Sequence, residues 1–263
     1  MLLETSTSEQ VRQYLERSRA IVIPMGSTEQ HGPIGLIGTD SICAQAVARQ
    51  LGARQQVLVA PTIALTVSQF NMGFPGTITV RAGTVIALLG DVLHSLADQG
   101  FERIYVLNGH GANVSVARAA FHDFYLDRAR RSPGNRTPRC RLRSWWEYPQ
   151  VDVLRRQWYG EFEGMHATPS EIAITMQVEP EACSRARTEG AELAEYAPAP
   201  LSAQFLRDHA QDNHFDALTH RAMFPDGRVG SHSWLARPDQ GKKLLDAAVD
   251  DAAADLAAFI AEA

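Results

Sequence analysis

The chain has 263 residues, 45% of them hydrophobic and 21% charged, which excludes a disordered or collagen-like polymer and leaves enough apolar surface for a core without covalent staples. Asp and Glu number 30 against 25 Lys and Arg, and the net charge of −5 excludes nucleic acid as the main partner, because phosphate binding needs a basic face. The cysteines, Cys43, Cys140 and Cys183, are odd in number and form no CxxC pair, so neither a disulfide framework nor a cysteine zinc site follows.

In chain order, Ser6 followed by Glu9 predicts a capping box ahead of an amphipathic helix through Val11, Tyr14 and Leu15. Residues 20–23 predict a buried strand ended by Pro24, followed by a Gly- and Pro-rich loop over 26–38. Asp40 opens a helix to about residue 51. Residues 57–60, closed by Pro61, predict a second strand. Helical spacing of Val85, Leu88, Leu89, Val92, Leu93 and Leu96 marks a helix over 84–99, stopped by Gly100. A third strand over 104–107 runs into Asn108-Gly109-His110-Gly111, and Asn113 is placed to cap the helix after it, which runs to about residue 130. Residues 140–145 predict a fourth strand. Weak periodicity and frequent turn residues predict loops over 185–238, and an alanine-rich helix closes the chain over 240–262, with Leu244, Leu245, Ala248, Val249, Leu256 and Ile260 on its apolar positions.

Strands that alternate with helices, each a short apolar run, predict an α/β fold with a mainly parallel sheet covered on both faces. No repeat or linker interrupts it, so residues 1–263 read as one domain. The N-terminus lacks a signal-peptide pattern, and no stretch approaches the ~20 apolar residues of a membrane span, so a cytoplasmic protein without membrane contact is expected. Arg128, Arg130, Arg131, Arg136, Arg139, Arg141 and Arg143 crowd one stretch around the turn-like Ser132-Pro133-Gly134-Asn135. It reads as a solvated helix end and loop, with an anion or partner contact as the rival.

The chemistry-bearing residues cluster just after strands, and in open α/β sheets ligands bind outside the carboxyl ends of the strands. Glu29, His31 and Asp40 fall within twelve positions of the loop after the first strand. Glu29 and His31 are two apart, so an extended segment projects them the same way. The mixed oxygen and nitrogen set suits Zn²⁺ or Mn²⁺, and the two oxygens of Asp40 can bridge two ions. The competing readings are an N-cap for Asp40 and surface positions for the other two. His110, flanked by Gly109 and Gly111 at the end of a strand, has bare backbone on both sides for a metal or substrate to approach, or is a turn histidine. Thr168, Pro169 and Glu171 make a capping box, so Glu171 either holds the helix start or points into the site as a ligand, with His166 beside it as a general acid/base. His94 and His122 lie in helices and read as packing or surface residues. His209, His214, His220 and His232 lack ligand spacing. Asp91 and Asp98 share one solvated helical face. Of Trp145 and Trp146, one reads as core and the other as a cover for a site.

Taken together, Glu29-Gln30-His31-Gly32-Pro33 with Gly38-Thr39-Asp40, Phe74-Pro75-Gly76-Thr77, Asn108-Gly109-His110-Gly111, and His166-Ala167 with Glu171 resemble the creatininase family, over about residues 20–175 and in the family's order. The resemblance implies a three-layer α/β/α hydrolase of C–N bonds in amides and cyclic amides, commonly a hexamer, so a homo-oligomer is expected. It also implies a pair of divalent ions, zinc or manganese with iron as a further option. Glu29, Asp40 and His110 would hold one ion, and His31 and Asp40 the other, with Asp40 bridging. In creatininase itself the second ion takes a further glutamate two residues after the histidine of the Asn-Gly-His block. Here that position is Ala112, which argues against creatinine as substrate and leaves Glu171 as the replacement ligand. Asn71 stands where relatives often carry histidine, and Ala167-Thr168-Pro169-Ser170 departs from the usual form, so the substrate stays open. Ser68, Asn71, Gly111 and Trp146 are expected along the substrate pocket. Related subgroups remove a formamide, trim a modified peptide or open the ring of a keto-inositol. The expectation is therefore a metal-dependent amidohydrolase acting on a small amide or formamide. The alternatives are a ring-opening hydrolase of a cyclic ketone or lactone and an inactive metal- or ligand-binding subunit.

Overall fold

In the computed structural model, which describes residues 1–131, 134, 137–193, 200–202, 204–206 and 216–262, the apolar runs form four parallel strands. These are β1 (Ala20–Met25), β2 (Leu58–Val59), β3 (Arg103–Asn108) and β4 (Arg139–Ser144), in the order β2-β1-β3-β4. Every residue of β1 and β3 is buried, as a parallel sheet covered on both faces requires. Met25 pairs with Asn108, and Asn108 with Ser144, so three strands end level and their following loops leave from one edge.

Nine helices of the described residues enter the account: α1 (Ser8–Arg17), α2 (Thr39–Gln55), α3 (Ala82–Asp98), α4 (Asn113–Arg131), α5 (Pro149–Tyr159), α6 (Pro169–Val178), α7 (Pro180–Glu189), α8 (Ala217–Met223) and α9 (Pro238–Ala261). Side chains alternate across a strand, so Ile21, Ile23, Ile104 and Val106 face Leu89 and Leu93 of α3 and Ala117 and Phe124 of α4. Val22, Tyr105 and Leu107 face the other way, into Val47 and Leu51 of α2, Ile172 of α6 and Leu244 and Ala248 of α9. The result is the expected three-layer α/β/α arrangement. Among the described residues no helix is long and apolar enough to cross a membrane.

Several local expectations are corrected. The first capping box is Thr7–Gln10: Gln10 N donates to Thr7 Oγ1 at 3.3 Å and Thr7 N to Gln10 Oε1 at 2.8 Å, while the Ser6 hydroxyl is spent on Leu2 O. Pro24 does not end β1. The carbonyls of Val22 and Pro24 both face the β2 side, accepting from Ala60 N and Ile63 N, and β2 itself stops at Val59. The N–H that proline lacks therefore falls beyond the ladder. Asn113 opens α4 without capping it; its amide donates to Gly26 O and Asn108 Oδ1, and its own Oδ1 accepts nothing. Within 185–238, the end of α7 and all of α8 are helical. The arginine run finds its anions inside the protein: Arg141 and Arg143 meet Asp255 at 3.1 Å, Arg139 meets Glu262 at 3.3 Å, and Arg128 pairs with Asp98. Arg136, most of the 132–135 turn, His209 and His214 lie outside the described residues.

Candidate metal centre

Six segments meet at the level carboxyl edge of the sheet. The loop after β1 brings Glu29, Gln30 and His31, the first turn of α2 brings Asp40, and the loop after β3 brings His110. The segment before α6 brings His166, and the first turn of α6 brings Glu171. A tight 3-10 turn, Gln69–Gly73, brings Asn71. Asn108 brackets the backbone of His110, accepting from His110 N at 3.0 Å and donating to His110 O at 2.8 Å. Asp40 is not an N-cap: Gly38 occupies that position, and the Asp40 carboxylate faces His31 and His110.

The two Asp40 oxygens face different histidines. Oδ1 lies 3.0 Å from His31 Nε2, and Oδ2 lies 3.0 Å from His110 Nδ1. Glu29 Oε1 is 3.2 Å from His110 Nδ1 and 3.5 Å from His166 Nδ1, and Glu171 Oε1 is 3.9 Å from His31 Nε2. Three overlapping groups thus have ligand atoms all within 4.8 Å of one another: Glu29, Asp40 and His110; His31, Asp40 and Glu171; and Glu29, His31 and His166. Glu29, His31, Asp40 and His110 are all buried.

The outer nitrogens of the two inner histidines are already committed. His110 Nε2 donates to Val67 O at 2.8 Å, and His31 Nδ1 donates to Glu29 O at 3.0 Å. Each ring therefore turns its other nitrogen inward, the arrangement that orients a metal-ligating imidazole. Glu29 Oε1 and Asp40 Oδ2 are buried and accept no hydrogen bond, although His110 Nδ1 stands close to both. Lone-pair atoms packed this closely repel unless a proton or cation lies among them. The donor set, two imidazoles and three carboxylates, fits borderline divalent ions such as Zn²⁺ or Mn²⁺.

Protons supply the compensation in the absence of a cation. Burial opposes charge on His31, but Asp40, Glu171 and Glu29 outweigh it and hold its pKa up at about 10. His110 is likewise raised well above its ordinary value, with Glu29 and Asp40 overcoming its burial. Burial would raise Glu29 and Asp40, yet the neighbouring imidazoles keep Glu29 below, and Asp40 well below, the usual carboxylate range. His166 goes the other way, down to about 4, through burial first and the adjacent His31 second. Burial lifts Glu171 to about 7 despite His31.

Glu171 Oε1 accepts from Thr168 N at 2.5 Å in a complete capping box and also faces His31. The residues expected to line the pocket divide. Gly111 faces open space. Trp146 follows β4, half-buried and edge-on to Trp145. The Ser68 hydroxyl is buried against that of Ser27 at 3.1 Å, and Asn71 is wholly buried and bonded to Glu29, so neither is free to grip substrate. His220 on α8, read as lacking ligand spacing, packs its buried ring edge-on against Phe70, itself stacked on His110, whereas sequence reasoning missed Gln30, whose amide joins Asn71 to Gly227. It also missed Glu163, a buried acid held by Arg155 and Ser170 ahead of α6. The position of Gln30 between Glu29 and His31 was the one available signal.

The α/β/α scaffold thus gathers imidazoles and carboxylates about a shared aspartate, a donor set that suits divalent ions. A family model described as creatinine amidohydrolase matches residues 4–256, and the chain belongs to this Creatininase family. It is 39% identical over 124 residues to the mycofactocin precursor peptide peptidase of Mycolicibacterium smegmatis (strain ATCC 700084 / mc(2)155), covering 45% of this chain and 49% of the relative. It is 34% identical over 122 residues to the 3-dehydro-scyllo-inosose hydrolase of Thermotoga maritima (strain ATCC 43589 / DSM 3109 / JCM 10099 / NBRC 100826 / MSB8), covering 46% and 39%. The matches thus span about half or less of these relatives' lengths. Among solved structures, a creatinine amidohydrolase (creatininase) superposes with a TM-score of 0.83 at 18% identity, covering 100% of this chain and 98% of that one. A mutant creatininase of Zn-Zn type and a creatininase Mn structure superpose at 0.81, with 18% and 19% identity and 98–99% of their chains covered. At these identities the likeness shows the fold.

Proposed function

We propose that the chain, as a single domain, is a metal-dependent hydrolase that cleaves a C–N bond of a small amide or formamide. The observation that carries this reading is the division of Asp40: one oxygen belongs to the His31 and Glu171 group, the other to the His110 and Glu29 group. Glu29, Asp40 and His110 would hold one divalent ion, and His31, Asp40 and Glu171 the second. Such ions supply Lewis acidity and water of lowered pKa. The protein's own part is to hold the donors in place, to keep bulk water from the buried carboxylates, and to move a proton through His166. His166 is neutral near pH 7, with Nε2 against Gln30 O at 2.7 Å and Nδ1 toward the centre, so it starts as a proton acceptor and can return that proton to a leaving nitrogen. Ala112, where creatininase has a glutamate, argues for a substrate other than creatinine.

The relatives favour a second reading as well, because one of them is named a hydrolase of an inosose, a cyclic ketone. Product analysis separates the two, since amide hydrolysis releases a free amine and ring opening of a ketone does not. Elemental analysis of protein purified without chelator is expected to find close to two transition-metal ions per chain. His166→Ala is expected to keep those ions and lose turnover. Full metal occupancy with no turnover across formamides, cyclic amides, lactones and cyclic ketones would replace this reading with that of a binding subunit.

A further inference from the structure

We propose that the side-chain amides of Gln30 and Asn71 form a clamp that selects which atoms Glu29 and His166 present to the centre. The inference rests on the metal reading above. It makes Gln30 and Asn71 positioning residues, acting through their neighbours and not on substrate.

A count of amide hydrogens gives the argument. Gln30 Nε2 has two, and two oxygens receive them: Asn71 Oδ1 at 2.7 Å and Gly227 O at 3.0 Å. Gln30 Oε1 accepts from Gly32 N at 2.8 Å. A flipped amide would set its oxygen against two others, so only one orientation of Gln30 works. With its oxygen accepting from Gln30, Asn71 turns its NH₂ to Glu29 Oε2 at 2.9 Å. One oxygen of Glu29 is thereby tied, and Oε1 alone remains, facing His110 Nδ1 and His166 Nδ1.

His166 is settled by the same count. Its Nε2 stands 2.7 Å from Gln30 O, 3.0 Å from Gln30 Nε2 and 3.4 Å from Asn71 Nδ2. Both Gln30 hydrogens are committed elsewhere and Asn71 Nδ2, with one hydrogen on Glu29, is the most distant of the three, so Nε2 faces the Gln30 carbonyl and carries the ring proton. Nδ1 keeps its lone pair for the centre. Gln30 and Asn71 are 5% and 0% exposed, so water does not compete for these bonds. The clamp needs glycine at 227, where φ is +82° and a Cβ would lie 2.0 Å from Gln30 Oε1. The segment around Gly227 thus closes a site whose other parts come from the first two-thirds of the chain.

The full-length protein tests this with two readouts. In metal-free wild type carrying ¹⁵N-labelled histidine, NMR at pH 7.5 is expected to find His166 with its proton on Nε2. In Asn71→Leu and Gln30→Met, which keep volume but remove the amides, that signature is expected to give way to a mixture of tautomers. Zn²⁺ affinity, read by competition with a chelator, is expected to fall ten- to a hundredfold in both variants. Circular dichroism shows whether the fold survives. His166 protonated on Nδ1 in the wild type overturns the clamp, as does Zn²⁺ binding within twofold of wild type in both folded variants. Wild type that binds no Zn²⁺ removes the metal reading, and the tautomer measurement then decides the clamp alone.

Discussion

Gly109 presses against the backbone of Asp40: a Cβ at position 109 would come within 2.2 Å of the Asp40 carbonyl oxygen and 3.1 Å of Ala44 Cβ. Gly109 N also donates to Met25 O at 2.8 Å, so one residue joins the ends of β1 and β3 to the first turn of α2. Gly109→Ala is expected to cost about 1–3 kcal/mol of stability in urea unfolding, the usual penalty of overpacking a rigid contact. It is also expected to weaken Zn²⁺ binding, because relief of the clash must move Asp40. Gly111→Ala is the control. Open space surrounds that position, and a change within about 0.5 kcal/mol is expected. Equal effects at the two glycines would refute the role given to the close approach.

The same contact marks what the sequence could and could not convey. Asn108-Gly109-His110-Gly111 was legible as a strand end with bare backbone, and Glu29, His31 and Asp40 as candidate ligands crowded into one loop, because local spacing carries that information. The purpose of Gly109 depends on α2, some seventy residues away, and no local pattern encodes that. Asn71 illustrates the limit. Its place near the site was expected, but its amide is consumed by Glu29 and Gln30, which only the packed loops reveal. Pro24 looked like a strand end because proline lacks a ladder donor. It sits within β1 because β2 is only two residues long on that side. The 185–238 stretch stayed opaque for a related reason: α8 is seven residues long and is held by Arg221, which bonds Gly73 O and covers the Phe74 ring.

Metal uptake is expected to release protons. His31, held at about 10, and His110, raised well above its ordinary value, are both protonated at pH 7 in the metal-free protein, and a ligating imidazole must be neutral. Calorimetric titration with Zn²⁺ in buffers of different ionisation enthalpy is expected to report about two protons released per two ions bound, plus a fraction from Glu171 near pH 7. Affinity is expected to fall as pH falls. Proton release near zero would mean that these imidazoles do not meet the ions.

Without metal, the cluster sets its own pH window. The folded pKa of His31 lies above its unfolded value near 6.5, so its contribution is fully present below that pH and is lost as pH rises through about 10. Glu29 and Asp40 are depressed, so their contribution is present above the unfolded carboxylate pKa and is lost as pH falls through the folded values. Melting temperatures of chelator-treated protein are therefore expected to be highest around pH 5–6.5 and to decline toward pH 10. Zn²⁺ at a hundred times its Kd is expected to add about 2.7 kcal/mol per ion bound at neutral pH. A melting profile flat from pH 6 to 10 in the absence of metal would contradict the His31 assignment.

Glu171 separates helix capping from ion binding. Its Oε1 receives Thr168 N, and Thr168 Oγ1 receives Glu171 N at 3.2 Å, so each residue supports the other at the start of α6. Only Glu171 also reaches His31. Thr168→Ala removes one half of the box and is expected to cost about 1 kcal/mol of stability while sparing metal content. Glu171→Gln keeps an oxygen for Thr168 N but gives up the charge, so stability is expected to hold within about 0.5 kcal/mol. Metal content is expected to drop from two ions toward one, since the His31 and Asp40 group then lacks its second carboxylate. Glu171→Ala is expected to show both losses together. If Glu171→Gln retains two tightly bound ions by elemental analysis, the carboxylate serves only the helix, and His31 and Asp40 must hold the second ion without it.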